Sequence, residues 1–166
     1  MAIPQKIINF LGKAKYEPIE HRTVYTAGDK AVTLRIKPNL IAKTVVLKID
    51  KEIVLATIPG NRNLDKGKFK KAVNIWKKKR GERAIKSIDF LSERVMKNVF
   101  KGVKIGVIPP FGSLWKMGTA VETSLLKNPK IIINSGDYNW SLKISPNEFK
   151  KLVPDLVLGN FGKAKR

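Results

Sequence analysis

The residue best placed for chemistry is Lys43. It stands directly before an apolar run at residues 44–49, and a second apolar run at residues 53–58 follows the polar turn Asp50-Lys51-Glu52. Val, Ile, Leu and Thr dominate both runs, which predicts a buried, central β-hairpin with Lys43 at the mouth of its first strand. A strand end is a rigid place for a working group, and an ammonium fixed there could stabilise an oxyanion. The alternative is that Lys43 is one solvated lysine among many.

A second candidate is the proline-rich segment GVIPPFG at residues 106–112. The apolar residues 103–108 predict a strand, which Pro109 and Pro110 stop. Because proline fixes the backbone φ angle, this loop has little conformational entropy left to lose when a ligand binds. Gly106 allows the backbone to approach a ligand closely. The alternative is an ordinary turn after a strand.

Several kinds of site are excluded by what the sequence lacks. There is no cysteine, so disulfides, thiol nucleophiles and cysteine zinc sites are excluded. His21 is the only histidine, which argues against a His-rich metal site, and a lone histidine is more often structural than catalytic. Phosphate-binding, dinucleotide, HExxH, GxSxG and EF-hand motifs are also absent. We therefore expect neither a metal nor a cofactor.

Charge is the strongest compositional signal. The chain has 34 Lys and Arg against 13 Asp and Glu, a formal net charge of +21, which attracts polyanions. The excess is concentrated in residues 66–86, where Glu82 is the only acid. We interpret this segment as a nucleic-acid surface, although composition alone does not distinguish RNA from DNA or a membrane, and a merely solubilising surface is the alternative. The predicted contacts are Lys66, Lys68, Lys70, Lys71, Lys77, Lys78, Lys79, Arg80 and Arg83.

The remaining pattern predicts one α+β domain with a mostly antiparallel sheet, at residues 1–158, followed by a loose basic tail at residues 159–166. Helices are predicted at residues 5–11, around 69–76, after a cap at Ser87, and after the capping box at residues 145–148, and further strands at residues 130–134 and 141–144. No apolar run is long enough to span a membrane, and no signal peptide is visible. We therefore expect a soluble cytoplasmic protein.

Several segments match, in order, the landmarks of a known family. They are EH and VYTA at residues 20–21 and 24–27, AKTVVLK at 42–48, IPGNRNLD at 58–65, GVIPPFG at 106–112, NSG at 134–136 and SLKISP at 141–146. Together they resemble the YbaK-like, prolyl-tRNA-synthetase-associated editing domain family over roughly residues 5–153. Each motif is weak alone, but their shared order and spacing are fairly specific.

This resemblance implies a mixed α/β fold around a strongly curved, barrel-like sheet, with an active cleft between the lysine strand and the GxxxP loop. It implies a catalytic set of Lys43, Gly106 and Pro110. The substrate-binding set that it implies is His21, Tyr25, Thr44, Ile108, Pro109, Phe111, Gly112, Asn134, Gly136 and Ser141. In the branch that clears alanine from proline tRNA, Asn usually stands where this chain has Thr44. The resemblance therefore leaves open which amino acid is removed from the tRNA.

The implied activity is the hydrolysis of mischarged aminoacyl-tRNA, with the loop as a wall that sieves small amino acids such as Ala, Ser, Thr or Cys. The implied partner is a mischarged tRNA, either tRNA-Pro or a related tRNA. Whether a synthetase is also required stays open. The alternative is an inactive relative kept as an RNA-binding or synthetase-associated module.

Overall fold

A computed structural model describes residues 3–165, in which helices and strands alternate irregularly. The helices are α1 (Gln5–Leu11), α2 (Ala27–Leu34), α3 (Lys66–Lys79), α4 (Glu93–Val99) and α5 (Pro146–Leu152). The strands are β1 (Tyr16–Glu20), β2 (Ala42–Ile49), β3 (Glu52–Pro59), β4 (Arg62–Leu64), β5 (Ile88–Phe90), β6 (Gly118–Glu122), β7 (Ile131–Asn134), β8 (Trp140–Ile144), β9 (Leu156–Gly159) and β10 (Gly162–Ala164). The predicted α+β class is confirmed. Of the helices in this part of the chain, none combines the length and apolarity needed to cross a bilayer.

The predicted central hairpin is confirmed as β2 and β3. These strands pair from Ala42 opposite Pro59 to Ile49 opposite Glu52, and they lie inside a sheet of order β5-β2-β3-β6-β9. One face of the hairpin packs against the apolar stripe of α3, and the other face packs against α4 and the loop after it. Burial on both faces explains why the two arms are nearly continuous in apolar residues.

The strands form three sheets, not one. Besides the five-stranded sheet there is a three-stranded sheet of order β1-β8-β7 and the pair β10-β4. Most pairings are antiparallel, but β6 runs parallel to both β3 and β9. The barrel-like sheet that the resemblance implied is not found among residues 3–165, because β5 and β9 end the largest sheet as open edges. A bridge between Ile41 and Ile132 joins the three-stranded sheet to the start of β2.

Two local predictions near the hairpin are wrong. Ser87 does not cap a helix, because its backbone N–H and hydroxyl donate to the carboxylate of Asp50 in the hairpin turn. The helix α4 begins later, after Ser92, whose hydroxyl accepts from the backbone N–H of Val95. Residues 103–108 do not form a strand either. Gly106 has a φ angle of +94°, which is incompatible with regular strand geometry, and the segment is an irregular loop.

The predicted looseness after Gly159 is wrong for residues up to Ala164. Phe161 is fully buried and packs edge-on against Phe69 of α3. The backbone N–H of Gly162 donates to the buried carboxylate of Glu122, and β10 pairs with β4. Residues 161–164 are therefore built into the body of the protein, beside the turn that follows the hairpin.

Candidate functional site

Two cavities meet at the first residues of β2. The smaller cavity has a volume of about 30 Å³ and the larger groove about 280 Å³. Lys43, Thr44 and Gly106 line both of them. The start of the lysine strand and the loop at Gly106 therefore form a neck between a small pocket and a larger groove.

Lys43 is half-buried at this neck. Its Nζ donates a hydrogen bond of 2.8 Å to the backbone carbonyl of Arg62, in the turn after the hairpin. Burial lowers the pKa of the Lys43 ammonium below its ordinary value, and the positive charge of Lys165 lowers it further. The hydrogen bond fixes the position of the ammonium, and it leaves two of its three N–H donors for a ligand.

Lys30 of α2 lines the small cavity and was not predicted from the sequence. Its side chain is 4% exposed, and its Nζ donates to Oδ1 of Asn134 at 2.9 Å. Burial lowers the pKa of Lys30 from 10.5 to about 8. A buried ammonium is costly unless something compensates it, so a lysine here is an unusual feature of a small pocket.

The loop that contains Gly106 is held by the end of β7 and the turn after it. Asn134 donates through Nδ2 to the carbonyl of Ile108 at 3.2 Å, and the N–H of Gly136 donates to the carbonyl of Val107 at 2.8 Å. In return, the carbonyl of Gly136 accepts from the N–H of Lys104. The wall of the small cavity at Gly106 and Val107 is therefore held by hydrogen bonds that involve Asn134 and Gly136.

The structure brings together one part of the predicted substrate site. Tyr25, Thr44 and Asn134 line the small cavity with Lys43 and Gly106, and Ile108 lines the larger groove. The remaining predicted residues line neither cavity; they are His21, Pro109, Pro110, Phe111, Gly112, Gly136 and Ser141. Their roles in binding or catalysis stay predictions.

Several of these remaining residues have structural contacts. Phe111 is fully buried and stacks on Phe10 at 4.9 Å between ring centroids. His21 Nδ1 donates to the carbonyl of Arg22, so Nε2 accepts from the hydroxyl of Ser141 at 2.8 Å. This pair ties the end of β1 to β8.

The larger groove is mostly apolar. Ile105, Leu91 and Met96 contribute to its wall, with Phe90 at its edge. The Phe90 side chain is 53% exposed, and Nζ of Lys66 lies 4.8 Å from the centre of its ring. The groove thus leads from Lys43 to an exposed aromatic ring beside the first residue of α3.

The predicted cationic surface on α3 is uneven. Lys77 is 8% exposed and forms ion pairs with Glu52 and Glu82. Arg80 lies over the ring of Trp76 and pairs with Glu82 and Asp155. The exposed lysines and arginine of the predicted set, apart from Arg80, are Lys66, Lys68, Lys71, Lys78, Lys79 and Arg83. Lys66 also lies 3.9 Å from a carboxylate oxygen of Asp89, so three of the predicted contacts are already engaged with acidic side chains.

No three His, Cys, Asp or Glu side chains within residues 3–165 are grouped so that they could hold a metal ion. The small cavity is lined by two lysines, by hydroxyl and amide groups, and by the apolar residues Val24, Ala27, Ile41, Ala42 and Val107. Such groups can bind a carbonyl oxygen, a phosphate or a small polar side chain.

One family model matches most of the chain. A family model described as "Aminoacyl-tRNA editing domain" matches residues 21–152. A crystal structure of a proposed trans-editing enzyme for prolyl-tRNA synthetase is 19% identical, with a TM-score of 0.77 over 96% of this chain and 94% of that one. No curated protein matches the sequence.

Two further structures share the fold. One comes from a study of epitope grafting onto scaffold proteins by computational design, with 18% identity, a TM-score of 0.77 and 97% coverage of both chains. The other is a proposed signal-transduction protein from Marinobacter aquaeolei VT8, with 20% identity and a TM-score of 0.66 over 96% of this chain and 30% of that one. At these identities the likeness concerns the fold alone.

Proposed function

Because the chain belongs to the aminoacyl-tRNA editing domain family, we propose that it is a trans-acting deacylase of mischarged aminoacyl-tRNA. The observation that carries this proposal is the position of Lys43. Its half-buried ammonium stands at the neck between a pocket of about 30 Å³ and a groove of about 280 Å³. An ester placed at this neck has its acyl group in the pocket and its ribose in the groove.

The proposed reaction is ester hydrolysis. A water oxygen attacks the carbonyl carbon, negative charge develops on the carbonyl oxygen, and the bond to the ribose oxygen breaks to give a free amino acid and a ribose hydroxyl. The ammonium of Lys43, positioned by the carbonyl of Arg62, stabilises the developing oxyanion. Ester hydrolysis needs no covalent intermediate on the protein, which fits the absence of cysteine from the sequence.

Glu93 lines the larger groove, but the small cavity offers the attacking water neither a carboxylate nor an imidazole within the described chain. No Asp, Glu or His is among the residues of the described chain that line the small cavity. We assign the orientation of the water to backbone groups of the Gly106 loop and to the neighbouring ribose hydroxyl of the substrate. This assignment fits the fixed backbone of that loop, which Asn134 and Gly136 hold in place.

Discrimination by size follows from the volume of the pocket. A synthetase rejects an amino acid that is smaller by one methylene by only about 1–3 kcal/mol, so small wrong products need a second selection step. A cavity of about 30 Å³ holds little more than a group the size of a water molecule. The site therefore fits small aminoacyl groups and excludes large ones.

The apolar groove and α3 fit the rest of the substrate. The exposed ring of Phe90 offers a surface on which the terminal adenine can stack, and Lys66 beside it is the first residue of α3. From there, the exposed lysines of α3 can neutralise phosphates without reading sequence. The tRNA that we propose for this site is tRNA-Pro or a related tRNA.

A deacylation panel tests this function. The wild-type protein is incubated with tRNAs charged with Ala, Ser, Thr, Cys or Pro, and released amino acid and bound tRNA are both measured. Hydrolysis of at least one small aminoacyl-tRNA, well above its spontaneous rate, supports the proposal. Binding of tRNA without hydrolysis of any charged form contradicts it and favours the alternative, an inactive RNA-binding or synthetase-associated module.

A further inference from the structure

Two polar groups around the small cavity have hydrogen-bonding capacity to spare. The ammonium of Lys30 has three N–H donors, and within residues 3–165 its one hydrogen bond goes to Asn134. Thr44 also lines the cavity, and its Oγ1 is buried with no hydrogen-bond partner in the described chain. An unpaired buried polar group is costly, so both groups favour a ligand that satisfies them.

These two groups complement each other. Lys30 can only donate, whereas the hydroxyl of Thr44 can accept or donate. A small hydroxyl group on the ligand can accept from Lys30 and donate to Thr44 at the same time. A methyl group in the same place satisfies neither of them.

The volume of the cavity limits how large this group can be. A volume of about 30 Å³ favours small groups over larger ones, and hydrogen bonds from Asn134 and Gly136 hold the loop wall near Gly106. Among small polar side chains, this size favours serine over threonine. A thiol is larger and only a weak donor and acceptor, so it is a poorer match than a hydroxyl.

We propose that the small cavity selects seryl over alanyl esters, with the serine hydroxyl accepting a hydrogen bond from Lys30 and donating one to Thr44. The proposal rests on the proposed function and specifies its substrate. Sites built to hydrogen-bond a substrate hydroxyl reject the analogue that lacks it, because their own polar groups are then left unpaired. We expect seryl-tRNA to be hydrolysed about 10- to 100-fold faster than alanyl-tRNA on the same tRNA body.

The test compares single-turnover rates on one tRNA body charged with Ser, Ala or Thr. Two variants remove the proposed contacts separately: Lys30→Met keeps a long unbranched side chain, and Thr44→Val keeps the shape of threonine. Each variant should slow seryl hydrolysis more than alanyl hydrolysis, so the Ser to Ala ratio falls towards one. Lys48→Met, an exposed lysine on the same strand as Thr44, is the control and should keep the wild-type ratio.

Two results would overturn this proposal while leaving the deacylase function intact. One is a wild-type protein that hydrolyses alanyl-tRNA as fast as seryl-tRNA. The other is a Ser to Ala ratio that neither Lys30→Met nor Thr44→Val changes. Thr44→Val keeps the test decisive if Lys30→Met fails to fold. If no charged tRNA is hydrolysed at all, the proposed function and this specificity fail together.

Discussion

Among single residues, Lys30 and Lys43 show how two ammonium groups on one cavity differ. Lys43 is half-buried at the neck, and its hydrogen-bond partner is a backbone carbonyl. Lys30 is nearly inaccessible, and its partner is a neutral amide oxygen. Burial lowers the pKa of both groups, but only for Lys30 does it bring the value to about 8. We assign oxyanion stabilisation to the accessible group and side-chain recognition to the buried one.

The lowered pKa of Lys30 predicts a specific dependence of stability on pH. The folded pKa is about 8, against 10.5 for an ordinary lysine, so between these values the unfolded chain binds more protons than the folded one. Stability therefore rises with pH across this window, by about 3 kcal/mol in total from this group. Urea unfolding from pH 7.5 to 10.5 measures it as the difference between wild type and Lys30→Met.

Using that difference removes the contributions that the wild type and Lys30→Met share. The wild type should gain stability relative to Lys30→Met as the pH rises. A difference that stays constant across the window would show that Lys30 is not a buried charge at neutral pH.

Sequence reasoning found Lys43 but missed Lys30, for a physical reason. Lys43 precedes a long apolar run, and its place at a strand mouth can be read from the adjacent residues. Lys30 lies in a helix that begins with Ala27, Gly28 and Asp29, of which Gly28 and Asp29 are weak helix formers, and the helix depends on the Thr26 cap. Until that helix is recognised, the sequence does not show that Lys30 lies on its buried side together with Ala31.

Among the elements, the loop at residues 103–110 matters most for the site. It was predicted to begin as a strand because of its apolar residues, yet Val107 and Ile108 are buried by an irregular path that β7 and the following turn support. Periodicity alone cannot distinguish a buried loop from a short strand. The position of Gly106 on the cavity therefore depends on long-range contacts that the sequence does not show.

Gly136→Ala tests whether the turn after β7 supports this loop. Gly136 has a φ angle of +94°, and a Cβ there would lie 2.9 Å from Cγ1 of Val103 in the loop. We expect a loss of stability of about 1–3 kcal/mol, together with a fall in deacylation rate, because the wall of the pocket shifts. Urea unfolding and single-turnover deacylation measure the two effects.

The matched control is Gly81→Ala at the end of α3. Gly81 has a similar φ angle of +70°, but a Cβ there meets nothing within 4 Å. This variant should lose about 1 kcal/mol of stability and keep its deacylation rate. Equal effects of the two variants on the rate would mean that the turn does not position the pocket.

For the whole molecule, the net charge of +21 is the dominant property. Part of this charge lies on α3, and the pairing of β10 with β4 brings Lys163 beside the turn at Arg62. The positive charge of Lys165 lowers the pKa of Lys43. A basic residue near the end of the chain thus acts on the ammonium of the proposed active site.

Salt dependence tests the cationic surface. If about five phosphates are neutralised, the slope of log affinity against log salt concentration should lie near −3.5 to −4.5. Lys78→Ala should make the slope shallower by about 1, because Lys78 is exposed. Lys77→Ala should leave the slope nearly unchanged, because Lys77 is buried and paired with Glu52 and Glu82. A slope near zero for the wild type would contradict phosphate binding by this surface.

The single-turnover rate of Lys43→Ala at saturating protein tests whether the ammonium of Lys43 catalyses ester hydrolysis. We expect a loss of about 100- to 1,000-fold with tRNA binding retained, whereas Lys48→Ala, which changes an exposed lysine on the same strand, keeps the wild-type rate. A Lys43→Ala protein that folds, binds tRNA and hydrolyses the ester as fast as the wild type would show that this ammonium is not catalytic.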